Sequence, residues 1–140
     1  MMRCGCRTIA GLLFLTAAVQ AQTETVRYPK SFTILIDFNG SNGAWSRYAP
    51  LIPGRDGNLY GTTDAGGAGG GPGATPGGHG TLFRISPEGM LTTIYEFSGP
   101  DGEFPQAVLL ENDDGSFWGT TPQGGSTGAG TVFRIHPTAI

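Results

Sequence analysis

Taken two residues at a time, "TLFRIS" (81–86) puts Thr81, Phe83 and Ile85 on one face and Leu82, Arg84 and Ser86 on the other. "TVFRIH" (131–136) does the same, with Phe133 and Ile135 set against Arg134. Short apolar runs of this kind, bounded by Gly, Asp, Asn and Pro, predict strands at 32–38, 48–52, 58–63 and 81–86. A second set is predicted at 91–97, 106–111, 116–121 and 131–136. Asp56-Gly57 and Asp114-Gly115 sit between apolar runs as hairpin turns whose glycines need positive φ. No stretch carries apolar residues at i, i+3, i+4 and i+7 over helical length, so the expected class is all-β.

The two sets are copies of one another. "NLYGTTDAGG" from Asn58 recurs as "SFWGTTPQGG" from Ser116, 58 residues on. Residues 49–63 fall on 107–121 without a gap, 80–87 match 130–137, and 32–43 resemble 91–102. The one length difference lies in the glycine-rich stretch of the first copy, and the underlying unit is about 50 residues. Four strands per unit is the spacing of a β-propeller blade, so the chain reads as two four-stranded antiparallel blades of an incomplete propeller. The expected division is 1–21, a linker at 22–31, a first repeat at 32–90 with a glycine-rich loop at 64–80, and a second repeat at 91–140.

The first 21 residues carry Arg3 and Arg7, then the apolar run 9–19, then "VQA". That order is expected of a secretory signal peptide cut after Ala21, which places the mature chain outside the cytoplasm, extracellular or periplasmic. The apolar run is shorter than the roughly 20 residues a membrane helix needs. Cys4 and Cys6 leave with it, so the mature chain depends on packing and hydrogen bonds without disulfides. It keeps 6 of the 8 basic side chains against 11 acidic ones, a net charge of −5 with His neutral. No basic cluster remains to follow a phosphate backbone, and no second apolar stretch spans a bilayer, so neither nucleic acid nor a membrane span is expected.

Gly and Pro make up 25 and 10 of the 140 residues. Such a fraction borders on low complexity, but disorder does not hold aromatic residues in register with a repeat. The motif "YGTT…GG…GT(L/V)FRI" resembles the GloVer-type tandem repeat of secreted and surface-anchored bacterial proteins. The resemblance covers residues 32–137 and rests on Gly57, Tyr60, Gly61, Thr62, Thr63, Phe83 and Arg84. Its second copy rests on Gly115, Trp118, Gly119, Thr120, Thr121, Phe133 and Arg134. It implies an extracellular location and a propeller-like fold, and it implies no activity. Family members string more copies together than the two found here.

Phe83 and Phe133 read as packing between neighbouring blades. Arg84 and Arg134 point off that face. Asp37 and Glu96 sit at matching places before the strand-ending Phe, which suggests a repeated ion pair or a charged channel lining. Tyr60 and Trp118 share a repeat position, as do Trp45 and Phe104. All four are candidate sugar platforms, with inter-blade packing as the competing role. The loop 64–79 holds eight glycines in sixteen positions and is expected to be mobile. No "GK(S/T)" follows it to hold a phosphate, and a lone His79 and the "NDDG" turn do not make a metal site, so no cofactor or metal is expected. His79 and His136 do not join a nucleophile into a catalytic set; Asp37, Asp64, Glu96 and Asp101 are the acids that a hydrolase would draw on.

Three functions follow in order: a secreted, non-catalytic module for surface recognition, a carbohydrate-binding protein, and a fragment of a polysaccharide hydrolase. The expected partners are a second copy of the chain, since two blades leave open strand edges, and a surface glycan. Ring closure across chains, membership of a longer array and a compact two-sheet fold with covered edges all remain open.

Overall fold

In each copy the central hairpin forms where β-branched and aromatic residues are concentrated. The structure, a computed structural model, describes residues 31–67 and 77–137. Among them are seven strands and no helix: β1 (Ile52–Pro53), β2 (Leu59–Thr63), β3 (Thr81–Ile85), β4 (Leu91–Glu96), β5 (Leu110–Glu111), β6 (Phe117–Thr121) and β7 (Thr131–Ile135). They form two antiparallel sheets, β1-β2-β3-β4 and β5-β6-β7, all within the unit from Thr33 onward. The expected leader 1–21 and all but the last residue of the expected linker 22–31 lie outside the described residues.

The sheets do not divide where the sequence repeats divide. β4 belongs by sequence to the second copy, yet it pairs along β3, with Arg84 opposite Thr92 and Thr81 opposite Glu96. The turn between them explains this. Ser86 donates to the Met90 carbonyl at 2.9 Å, Gly89 donates to the Ser86 carbonyl at 2.9 Å, and Gly89 takes φ 86°. A tight turn of that kind makes consecutive strands antiparallel neighbours. The same geometry closes β1–β2 at Gly57 (φ 83°) and β5–β6 at Gly115 (φ 77°), as the DG dipeptides predict. Three further expectations are corrected. Residues 32–38 form no strand, the second described sheet has three strands, and the runs 48–52 and 106–111 shorten to two-residue strands. Pro50, Pro53 and Pro105 lack the N–H that a longer ladder would need.

The repeated motif is the means by which the strands meet. Gly61 lies opposite Phe83, and Gly119 opposite Phe133. A Cβ on Gly61 would come within 2.7 Å of the Phe83 ring, so the glycine leaves the space in which the ring lies. Two positions on, Thr63 Oγ1 accepts the Thr81 backbone N–H at 3.1 Å and donates to the Ala65 carbonyl at 2.9 Å. Thr121 repeats this with Thr131 and Gln123. Phe38 and Phe97 then meet Phe83 and Phe133 edge-on, each at 5.2 Å.

The core lies between the sheets. Tyr60 and Leu82 from the first sheet meet Leu109 and Phe117, with Ile52, Ile94, Phe133 and Ile135 around them. The Tyr60 and Phe117 rings stack at 4.1 Å, and Thr62 Oγ1 donates across to the Pro105 carbonyl at 2.9 Å.

The flanks of the glycine-rich loop are held in place. Residues 64–67 are buried, Gly66 donates to the Gly77 carbonyl at 2.8 Å, and Gly67 donates to the Gly40 carbonyl at 2.9 Å. The expectation of mobility therefore does not apply to these flanks, and residues 68–76 lie outside the described residues.

Candidate interaction surface

Alternation along β6 sends Phe117, Gly119 and Thr121 inward and Trp118 and Thr120 outward. Cross-strand pairing adds Leu110 opposite Trp118, Arg134 opposite Trp118, and Val132 opposite Thr120. Leu110, Trp118, Thr120, Val132 and Arg134 thus share one face of the second sheet. Their equivalents in the first sheet, Ile52, Tyr60, Thr62, Leu82 and Arg84, share the face that packs on the second sheet. The same pattern therefore meets two environments. Tyr60 is 2% exposed where Trp118 is 40% exposed, and Leu82 is 0% where Val132 is 74%.

Arg134 is held across this face. Its guanidinium lies 5.7 Å from the Trp118 ring centre, and its Nη2 donates to Asp114 Oδ2 at 2.5 Å. Asp114 also takes the N–H and hydroxyl of Ser116, and these bonds, with Arg134 adding to them, hold its carboxyl at about 2. In the first sheet the matching acid, Asp56, instead accepts the Tyr60 hydroxyl at 2.7 Å. Trp118 has no hydroxyl to offer, so Arg134 takes its place.

Burial, and then the Asp56 hydrogen bond, push the Tyr60 hydroxyl up to about 12. A folded value above the unfolded one, near 10, means stability that is full below pH 10 and is lost as pH rises toward 12. Chemical denaturation across this range should show wild type weakening above pH 10. Tyr60→Phe should start about 1 kcal/mol lower at neutral pH and fall less steeply. Equal slopes for the two proteins would contradict the assignment.

The structure does not gather the four candidate aromatics into one site. Tyr60 is closed off between the sheets, and Trp118 lies on the far side of the second sheet from it. Trp45 and Phe104 occupy matching loop positions with φ of 59° and 58°, unusual for residues with side chains. Trp45 is exposed, but Arg47 lies over its ring at 4.8 Å and also over Tyr48 at 5.0 Å, with Nε 3.1 Å from buried Asp64. Phe104 is half-buried, and its N–H donates to the His79 carbonyl at 2.9 Å.

The expected pairing of Arg84 with Asp37 and of Arg134 with Glu96 does not form. Arg84 shares the Tyr60 face of the first sheet, whereas the segment ending at Phe38 packs on the opposite, Phe83 face. Glu96 belongs to the first sheet, and Arg134 points off the second sheet away from it. The remaining acids have other partners: Asp64 binds Arg47, and Asp101 accepts the Tyr95 hydroxyl at 2.5 Å and the Ser98 N–H at 2.8 Å. His79 Nδ1 is buried 3.3 Å from Glu103 Oε1 without hydrogen-bond geometry. Among the described residues no three His, Cys, Asp or Glu side chains converge as a metal site. An open depression of about 540 Å³ lies beside Ser98, Glu103, Gln123 and Gly124.

One contact between the sheets goes beyond what the alternation predicts. The Arg55 backbone N–H donates to the Glu111 carboxylate at 3.1 Å, and its Nη2 donates to Asp113 Oδ1 at 2.6 Å, latching the first sheet to the second. The signal was available: "RDG" and "DDG" align, so Arg55 and Asp113 are repeat equivalents of opposite sign.

The model of a family described as the Gloeobacter/Verrucomicrobia repeat matches residues 25–139. No curated protein and no solved structure matches the chain.

Proposed function

The chain belongs to the Gloeobacter/Verrucomicrobia repeat family, and from that premise we propose that it is a secreted, non-catalytic module that works by presenting a sheet face for binding. One observation carries the reading. The face that the first sheet buries against the second is presented outward by the second, with Leu110, Trp118 and Val132 on it. A contiguous apolar face of this kind on a small domain is a feature of interaction surfaces. The leader-like pattern of residues 1–21 supports export, and N-terminal sequencing of exported protein should then begin at Gln22.

A second reading, sugar binding, is favoured by the partial exposure of Trp45 and Trp118. Glycan-array binding separates the two. Binding that is lost in Trp118→Ala or Trp45→Ala supports the sugar platform, and a blank array leaves the face to a protein partner. Incubation with a panel of polysaccharides should give no turnover. Turnover that disappears in Glu96→Gln would overturn the reading and revive the hydrolase.

A further inference from the structure

We propose that the outer face and free edge of the second sheet receive a second copy of this chain, whose segment 33–38 adds as the fourth strand beside β7. The proposal rests on the reading of that face as a binding face, and it names the occupant.

Three observations converge on it. Residues 33–38, "TILIDF", are the repeat equivalent of 92–97, "TTIYEF", which run along β3 as β4 and end in Phe97. Among the described residues 33–38 pair with no strand, and Ile34 and Leu35 are exposed. The segment nonetheless ends in the right place, because Phe38 meets Phe83 with the geometry of Phe97 on Phe133. It matches an outer strand by sequence but joins no sheet among the described residues.

β7 is the complementary half. β3 has neighbours on both sides, whereas β7, its equivalent, pairs only with β6 among the described residues. An edge with free N–H and C=O groups beside an exposed Val132 is a template for an added strand. Carrying the β3–β4 register over by the repeat sets Arg134 opposite Thr33, Phe133 opposite Ile34, Val132 opposite Ile36, and Thr131 opposite Asp37 of the second copy.

The operation that relates the two sheets also continues the interface they already share. Tyr60 stacks on Phe117 within the chain, so Trp118 would lie on Leu59 of the second copy, which is exposed and is the equivalent of Phe117. The charges fit as well. Arg55 grips Asp113 within the chain, and because these two are repeat equivalents, the new interface brings Asp113 against Arg55 of the second copy. Asp113 is almost fully exposed and has room for a second partner. The contact is head-to-tail, so each added copy leaves the same face and edge open until a ring closes or a filament grows.

The test uses the full chain with Cys4 and Cys6 changed to serine, which leaves no other thiol. Sedimentation velocity should show concentration-dependent association. Ile36→Pro removes a strand N–H from a segment that pairs with no described strand, so it should keep the melting temperature and weaken association about a hundredfold. Mixing an Ile36→Cys preparation with a Val132→Cys preparation under mild oxidation should give a mixed disulfide, since directly opposed strand residues lie within bridging range. Each preparation alone should cross-link several-fold less. A wild type that stays monomeric overturns the proposal. Association that persists in Ile36→Pro but is lost in Trp118→Ala also overturns it, while the outer face survives as a binding face. Association that ignores both substitutions removes both.

Discussion

Gly66→Ala is expected to destabilise the fold by about 4 kcal/mol, while Gly57→Ala, at the same φ, costs about 1 kcal/mol. Both glycines have φ of 83°, so both substitutions carry the strain of a side chain in the left-handed region. They differ in what the new methyl meets. A Cβ at Gly57 has nothing within 4 Å, whereas at Gly66 it falls 2.4 Å from the Gly40 carbonyl oxygen and 2.6 Å from the Gly43 carbonyl carbon. Both are backbone atoms of the Gly40–Gly43 bridge, and no rotamer can relieve the contact. Gly66 also holds the loop flanks together, donating to Gly77 and accepting from Gly80. For a unit of this size 4 kcal/mol is a large part of the total stability. Thermal unfolding should show a drop of roughly 15 °C for Gly66→Ala and about 5 °C for Gly57→Ala. Equal losses would mean that residues 40–43 do not approach Gly66.

Phe117→Ala is expected to destabilise by about 4 kcal/mol, with its neighbour Trp118→Ala near 1 kcal/mol or less in the isolated chain. Phe117 is fully buried against Tyr60 at the centre of the sheet-to-sheet core, so its removal loses the transfer energy and leaves a cavity. Trp118 is the larger side chain, but it is 40% exposed, with Arg134 over its ring. Urea midpoints should fall sharply for Phe117→Ala and little for Trp118→Ala, with the slopes unchanged. The reverse order would place the core on the other face of the second sheet.

Much of the fold was legible in the sequence for a physical reason. Alternation in 81–86 and 131–136 fixes which side chains share a face, and a DG dipeptide between apolar runs has few conformations open to it. The position of the sheet boundary was not legible. A repeat alignment shows what recurs every 50 to 58 residues, but it is indifferent to which strand begins a sheet. The local signal was "SPEGM" (86–90), whose Gly89 turn makes 91–96 the partner of β3. The role of Gly61 was also hidden, since its need for no side chain comes from Phe83, 22 residues away in sequence but directly opposite across the sheet.

The candidate surface was harder still to read. Tyr60 and Trp118 hold one repeat position, yet only one is buried, because exposure depends on whether another sheet stacks on that face. No property of the YGTT or WGTT peptide carries that information. The same limit applies to Arg84 and Arg134: alternation tells that they leave the Phe83 and Phe133 face, but not that Asp114 is what Arg134 finds there.

The first sheet crosses the sequence repeat, and through-space NMR contacts between the backbone protons of β3 and 91–96 test this most directly. The expected result is Arg84 close to Thr92 and Thr81 close to Glu96, with irregular register at Ile94 where the pairing shifts. Contacts from 91–96 to 106–111 or 131–135, with none to β3, would place the boundary at the sequence repeat and contradict the account.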